Sequence, residues 1–180
     1  MSAENSGGSR PGSDRRVRAG TARLAAVQAL YVLDVNGDQD PEPVIRDFIQ
    51  GRIGGNAIID VPDPDGLFDP TEEVTQLAPA DGELFASLVR AAWAELPQVD
   101  ETLQSCLSAG WKWERLEPVL KAILRSGIAE LLTRSATPPR VAVKEYMELA
   151  DAFYAGAESG LVNAVMDRVA KAVRPEDFRG

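Results

Sequence analysis

Residues 116–134 read LEPVLKAILRSGIAELLTR. Leu116, Leu120, Ile123, Leu124, Gly127, Ile128 and Leu131 recur at steps of three and four, which gathers apolar side chains on one face of an α-helix. Pro118 fits the first turn, where its missing N–H would have had no partner, and the run closes at Arg134. Downstream, Pro138–Pro139 break the chain. A helix is expected from about Arg140, packed through Val143, Met147, Ala150 and Phe153 or Tyr154. Ser159 then suits the cap of a last helix with Val162, Val165, Met166, Val169 and Val173 inside. Upstream, Leu84, Phe85, Leu88, Val89, Ala92 and Trp93 form one stripe ending at Pro97. Val99, Leu103, Cys106 and Leu107 form another ending near Gly110. Ser13–Asp14 suit the cap of a first helix running to about Val35, with Leu24, Val27, Gln28 and Tyr31 on one face. Six or seven helices with mostly short loops predict an all-α helical bundle.

Two segments break this pattern. Residues 1–12 are rich in Gly, Ser, Pro and Arg and read as a disordered tail before a single helical domain over 13–180. Residues 36–80 read as an irregular acidic insert. Val44, Ile45, Phe48 and Ile49 predict a short helix around Glu42–Gln50, and a Gly/Pro/Asp-rich string follows. Ile58, Ile59 and Val61 allow a brief extended stretch, too short by itself to define a sheet.

Composition narrows the chemistry. The 180 residues contain one cysteine, Cys106, and no histidine, so an internal disulfide, the usual zinc sites and histidine-dependent hydrolysis have no candidates. No catalytic, metal or cofactor residue is expected. No run approaches the ~18 apolar residues of a membrane span, and the start lacks a secretory core, which predicts a cytoplasmic protein. The net charge of −9 argues against nucleic acid, but its distribution does not. Residues 36–83 carry two basic and twelve acidic side chains, whereas residues 1–35 hold five arginines against three acids. Outside the insert the chain is close to neutral with a basic front edge.

Five blocks of sequence carry a resemblance. ARLAAVQALY (22–31), Trp113-x-Arg115-Leu116 with Ile123-Leu124-Arg125 and Glu130-Leu131, PPRVAV-x-E (138–145), Glu148-Leu-Ala150, and LVN-x-V-x-D (161–167) occur in the order and spacing of the NusB family of transcription antitermination factors. The match covers roughly 15–35 and 84–175. It implies two small helical subdomains, about 13–80 and 81–175, and no enzymatic activity. It further implies a heterodimer with the ribosomal protein NusE, binding of boxA-type single-stranded RNA by the pair, and a place in the RNA polymerase antitermination complex. This chain departs from the pattern where Ala19-Gly20-Thr21 separate the arginines from the Ala-Arg step, at Lys144 and Leu161 where Asn and Phe are usual, and in a short segment 156–160.

Each candidate residue has a plainer reading beside the functional one. Arg15, Arg16, Arg18 and Arg23 suit phosphates and unpaired bases, since guanidinium groups bind the first bidentately and stack on the second; the alternative is a solvated basic tail. Gln28 suits a base edge or a polar rim, and Tyr31 a stacked base or a core position. Leu161 and the segment 156–160, which includes Glu158, fall where the resemblance places partner contact; Glu145, Glu148 and Asp151 line one helix face at steps of three, and Asn163 sits in an apolar stretch, as further candidates for that contact. An acidic surface there would attract a basic ribosomal protein; the alternatives are a solvated acidic face and, for Asn163, a buried structural amide. Trp113 reads as filler between subdomains and Cys106 as a small core residue. Two rival functions remain: a protein–protein module or homodimer without RNA binding, and the RNA-binding leader domain of ribosomal RNA cytosine methyltransferases.

Overall fold

The computed structural model describes residues 11–61, 71–134 and 136–179. Among them lie seven α-helices: α1 (Pro11–Asn36), α2 (Glu42–Ile49), α3 (Gly82–Ala94), α4 (Leu96–Cys106), α5 (Pro118–Thr133), α6 (Pro139–Phe153) and α7 (Glu158–Val173). Short 3₁₀ turns cover Trp113–Arg115 and Pro175–Phe178. The fold is all-α, as the periodicity predicts. Local chemistry sets the boundaries. The Asp81 carboxylate accepts from the Leu84 amide at 3.0 Å and caps α3, while Pro97, Pro118 and Pro139 sit in first turns.

The helix at the centre is α5. Residues 122–131 are buried without interruption, because α1, α3, α4, α6 and α7 all pack against this helix. Its apolar stripe meets Leu30 and Leu33 of α1, Leu88 of α3, and Val162, Val165 and Met166 of α7 in one continuous core. Burying a side chain of this size contributes about 1.5–3 kcal/mol, so α5 supplies much of the driving force. Close approach depends on Gly127. A Cβ there would lie 2.5 Å from the Met166 sulfur and 3.2 Å from the Tyr146 ring, both fully buried. Gly127→Ala should therefore cost about 1–3 kcal/mol despite alanine's better helix propensity. A denaturant melt checks this; an unchanged midpoint would show that α5 and α7 are not packed this tightly.

Several details differ from the sequence pattern. The first helix starts at Pro11, two residues before the expected cap, and takes in Pro11 and Gly12 of the expected tail; residues 1–10 lie outside the described residues. The last helix starts at Glu158 without a side-chain cap, so Ser159 is inside it. Along α6 the buried face is Ala142, Glu145, Tyr146 and Ala150; Val143 and Met147 are half-buried and Phe153 is exposed. The insert is more regular than expected. Besides α2 it holds an antiparallel hairpin, β1 (Asn56–Val61) with β2 (Thr71–Gln76), in register Asn56↔Gln76 through Val61↔Thr71. β-branched residues on both strands favour that pairing; residues 62–70, between the strands, lie outside the described residues. Gly54 and Gly55 lead into the hairpin at φ +76° and +81°, and a Cβ on Gly54 would strike the Phe48 ring.

Candidate nucleic-acid interface

The arginines of α1 divide by their place on the helix. Arg23 faces inward and is 5% exposed. Its Nε and Nη2 donate to the two Glu130 oxygens at 2.9 and 2.7 Å, and its Nη1 lies 3.4 Å from Glu145 Oε2. The Tyr146 hydroxyl donates to Glu130 at 3.0 Å and stands 2.9 Å from Ser126 Oγ, which completes a buried polar cluster among α1, α5 and α6. Burial works against the Arg23 charge. The hydrogen bonds and charge of Glu130, with Tyr146 and Glu145 behind them, outweigh it and hold the guanidinium above its ordinary pKa. Burial, reinforced by the Glu130 charge, pushes the Tyr146 hydroxyl well above the usual phenol range. The expected RNA role of Arg23 is therefore corrected: its side chain is spent inside the protein.

Arg15, Arg16 and Arg18 are exposed on the first turns of α1. Arg15 and Arg18 line an open cleft of about 810 Å³ with Ile49, Ser87, Arg90 and the acidic Asp14, Asp81 and Glu83. Among the described residues neither arginine makes an ion pair. Arg90, on the far wall, is held by Glu42 through two hydrogen bonds of 2.6 and 2.8 Å. Arg16 points the other way, toward the Glu145 and Glu148 carboxylates of α6.

Further along α1, Gln28 is half-buried, and its buried Oε1 has no hydrogen-bond partner among the described residues. Tyr31 is 37% exposed, so it is not a core residue. Both border an apolar cavity of about 380 Å³ with Phe48, Ile53, Val119 and Phe153. Sequence reading misses this cavity because its walls come from four separate segments, α1, the end of α2 with the turn after it, α5 and α6; the exposure of Phe153, a candidate for the α6 stripe, marks it only in the folded chain.

The expected partner residues separate too. Glu145 is buried on Arg23, and Leu161 is 4% exposed in the core, so neither offers a surface as expected. Leu161 is buried because it lies on the inward face of α7 with Val162, Val165 and Met166. Glu148 and Asn163 are exposed and Glu158 is half-buried, which corrects the buried-amide reading of Asn163. Trp113 is half-buried, with Lys121 Nζ 4.3 Å and Arg125 5.6 Å from its ring. Arg125, also missed, bridges Asp34 of α1 and Asp100 of α4 at 3.0 and 2.7 Å. Among the described residues no helix is long and apolar enough to cross a membrane.

The geometry is that of a predominantly helical fold with exposed arginines on the first turns of α1 and an apolar cleft bordered by Gln28 and Tyr31. The sequence profile of the NusB family matches residues 20–171, and the chain belongs to that family. It is similar to the transcription antitermination protein NusB of Rhodospirillum rubrum, 60% identical over 168 residues that cover 93% of this chain and 91% of the relative. Among solved structures it resembles NusB of T. maritima, with a TM-score of 0.65 at 23% identity over 93% of this chain and 97% of that one. The antitermination factors NusB and NusE in complex with double-stranded RNA give a TM-score of 0.62 at 22% identity over 87% and 98% of the chains.

Proposed function

We propose that this protein is a cytoplasmic transcription antitermination factor that binds boxA-type single-stranded RNA together with ribosomal protein NusE, as part of the RNA polymerase antitermination complex. The observation that carries the reading is the pair Arg15 and Arg18. They are exposed, and among the described residues no carboxylate pairs with them, in a net-acidic chain of the NusB family. Their guanidinium groups hold backbone phosphates. Gln28 and Tyr31, two turns and more along the same helix, meet bases or the partner at the apolar cavity. Glu148, Glu158 and Asn163 remain the α6–α7 surface for the basic partner. A solved complex that joins NusB and NusE with double-stranded RNA supports the pairing of the two proteins on RNA, though not the strandedness.

RNA held by two modest surfaces gains because joining them makes the second contact intramolecular, worth about 10²-fold or more. Titration of labelled boxA-type RNA should thus show weak binding to the protein alone and far tighter binding once NusE is added. A duplex of the same sequence should bind less well. Equal affinities with and without NusE reject the cooperative mechanism, and no binding in either case rejects the function.

A further inference from the structure

Arg16 differs from Arg15 and Arg18 in what surrounds it. Its side chain is 62% exposed, yet its Nε lies 3.4 Å from Glu145 Oε1 and its Nη2 lies 3.9 Å from Glu148 Oε2. Two N–H groups of one guanidinium thus face two oxygens, the arrangement in which a phosphate is held. Both separations exceed the 2.7–2.9 Å of a tight charge-assisted hydrogen bond, so the carboxylates hold this arginine loosely. The two acids are not equivalent. Glu145 is buried, and its other oxygen faces Arg23 at 3.4 Å. Glu148 is half exposed, and its other oxygen lies 3.4 Å from Lys144. Of the two, Glu148 can be drawn away without disturbing the buried cluster.

We infer that Glu145 and Glu148 stand in for RNA phosphate at Arg16, and that a basic partner engaging Glu148 releases this arginine to the RNA. The inference rests on the RNA reading above and adds a coupling to it. RNA meeting the protein alone displaces the carboxylates before it gains Arg16. RNA meeting the complex finds Arg16 partly freed. Linkage makes the effect mutual, so RNA bound at Arg16 also leaves Glu148 more available to the partner.

Glu148→Gln removes the charge while keeping size and helix propensity. An exposed ion pair of this kind is worth at most about fivefold in an equilibrium constant. Anisotropy titrations at low salt should show the variant alone binding boxA-type RNA about two- to fivefold tighter than wild type, with the gap closing as salt rises. The ratio of RNA affinities with and without NusE should shrink by the same factor. In an Arg16→Gln background, Glu148→Gln should leave RNA affinity unchanged. Unaltered RNA affinity in Glu148→Gln, or a gain that survives in the Arg16→Gln background, overturns the stand-in role; a gain with an unaltered NusE ratio overturns the coupling. Wild-type protein that takes up no RNA under either condition instead defeats the function on which both rest. Thermal melts of each variant confirm that the fold is intact.

Discussion

Arg23→Ala should lower stability by about 3–5 kcal/mol, because it leaves Glu130 as an uncompensated carboxylate with no exposure at all. In a chain of this size, where 1 kcal/mol moves the midpoint by about 2–4 °C, thermal unfolding should fall by roughly 10 °C. That is a large share of the 5–15 kcal/mol that keeps an ordinary domain folded. Glu130→Ala should cost a similar amount, since it strands the guanidinium and also removes the acceptor of the Tyr146 hydroxyl. The double variant should cost less than the two singles together, because each single already breaks the same contacts. Calorimetry or circular-dichroism melts of the three proteins decide the matter. A normal melting point with lost RNA binding would return Arg23 to the surface role expected from its residue type.

Arg15→Gln with Arg18→Gln should do the opposite: leave the melting point in place and weaken RNA binding. Both side chains are exposed, and surface substitutions of this kind usually stay within about 0.5 kcal/mol of neutral. A hydrogen bond to a charged group contributes about 1.5 kcal/mol or more, so each lost arginine should cost about tenfold in affinity. The log–log salt slope should flatten by about 0.7 for each phosphate released, or about 1.4 for the pair. The measurement is an RNA titration of the NusE complex at several salt concentrations. An unchanged slope would mean that these arginines do not meet the strand.

What could be read from the sequence followed from local repetition. The stripe of α5 is apolar at every third or fourth position, and the structure buries it without interruption. The stripe read along α6 holds for Ala150 and for Val143, Met147 and Tyr154, which pack against the core, but it omits Glu145 and Tyr146, buried polar groups that only a partner elsewhere in the chain makes tolerable. Arg23 is the same case. An arginine one turn beyond a basic cluster reads as surface, and nothing near it in sequence reveals Glu130, 107 residues away. The hint lay at the other end, in an acid set between Ala129 and Leu131 in an otherwise apolar run. The hairpin was hidden for a related reason: β1 is too short to announce a sheet, and its mate begins ten residues after it ends.

The ribbon formed by β1 and β2 has an evolutionary corollary. Among the described residues its main-chain bonds close on themselves, with the Leu77 amide donating to the Gly55 carbonyl at its base. Paired glycines lead in and Ala78-Pro79-Ala80 lead out. Such an accessory can be trimmed, extended or exchanged between lineages without exposing unpaired main-chain groups in the helices. The same modularity makes it a natural place to graft a reporter sequence.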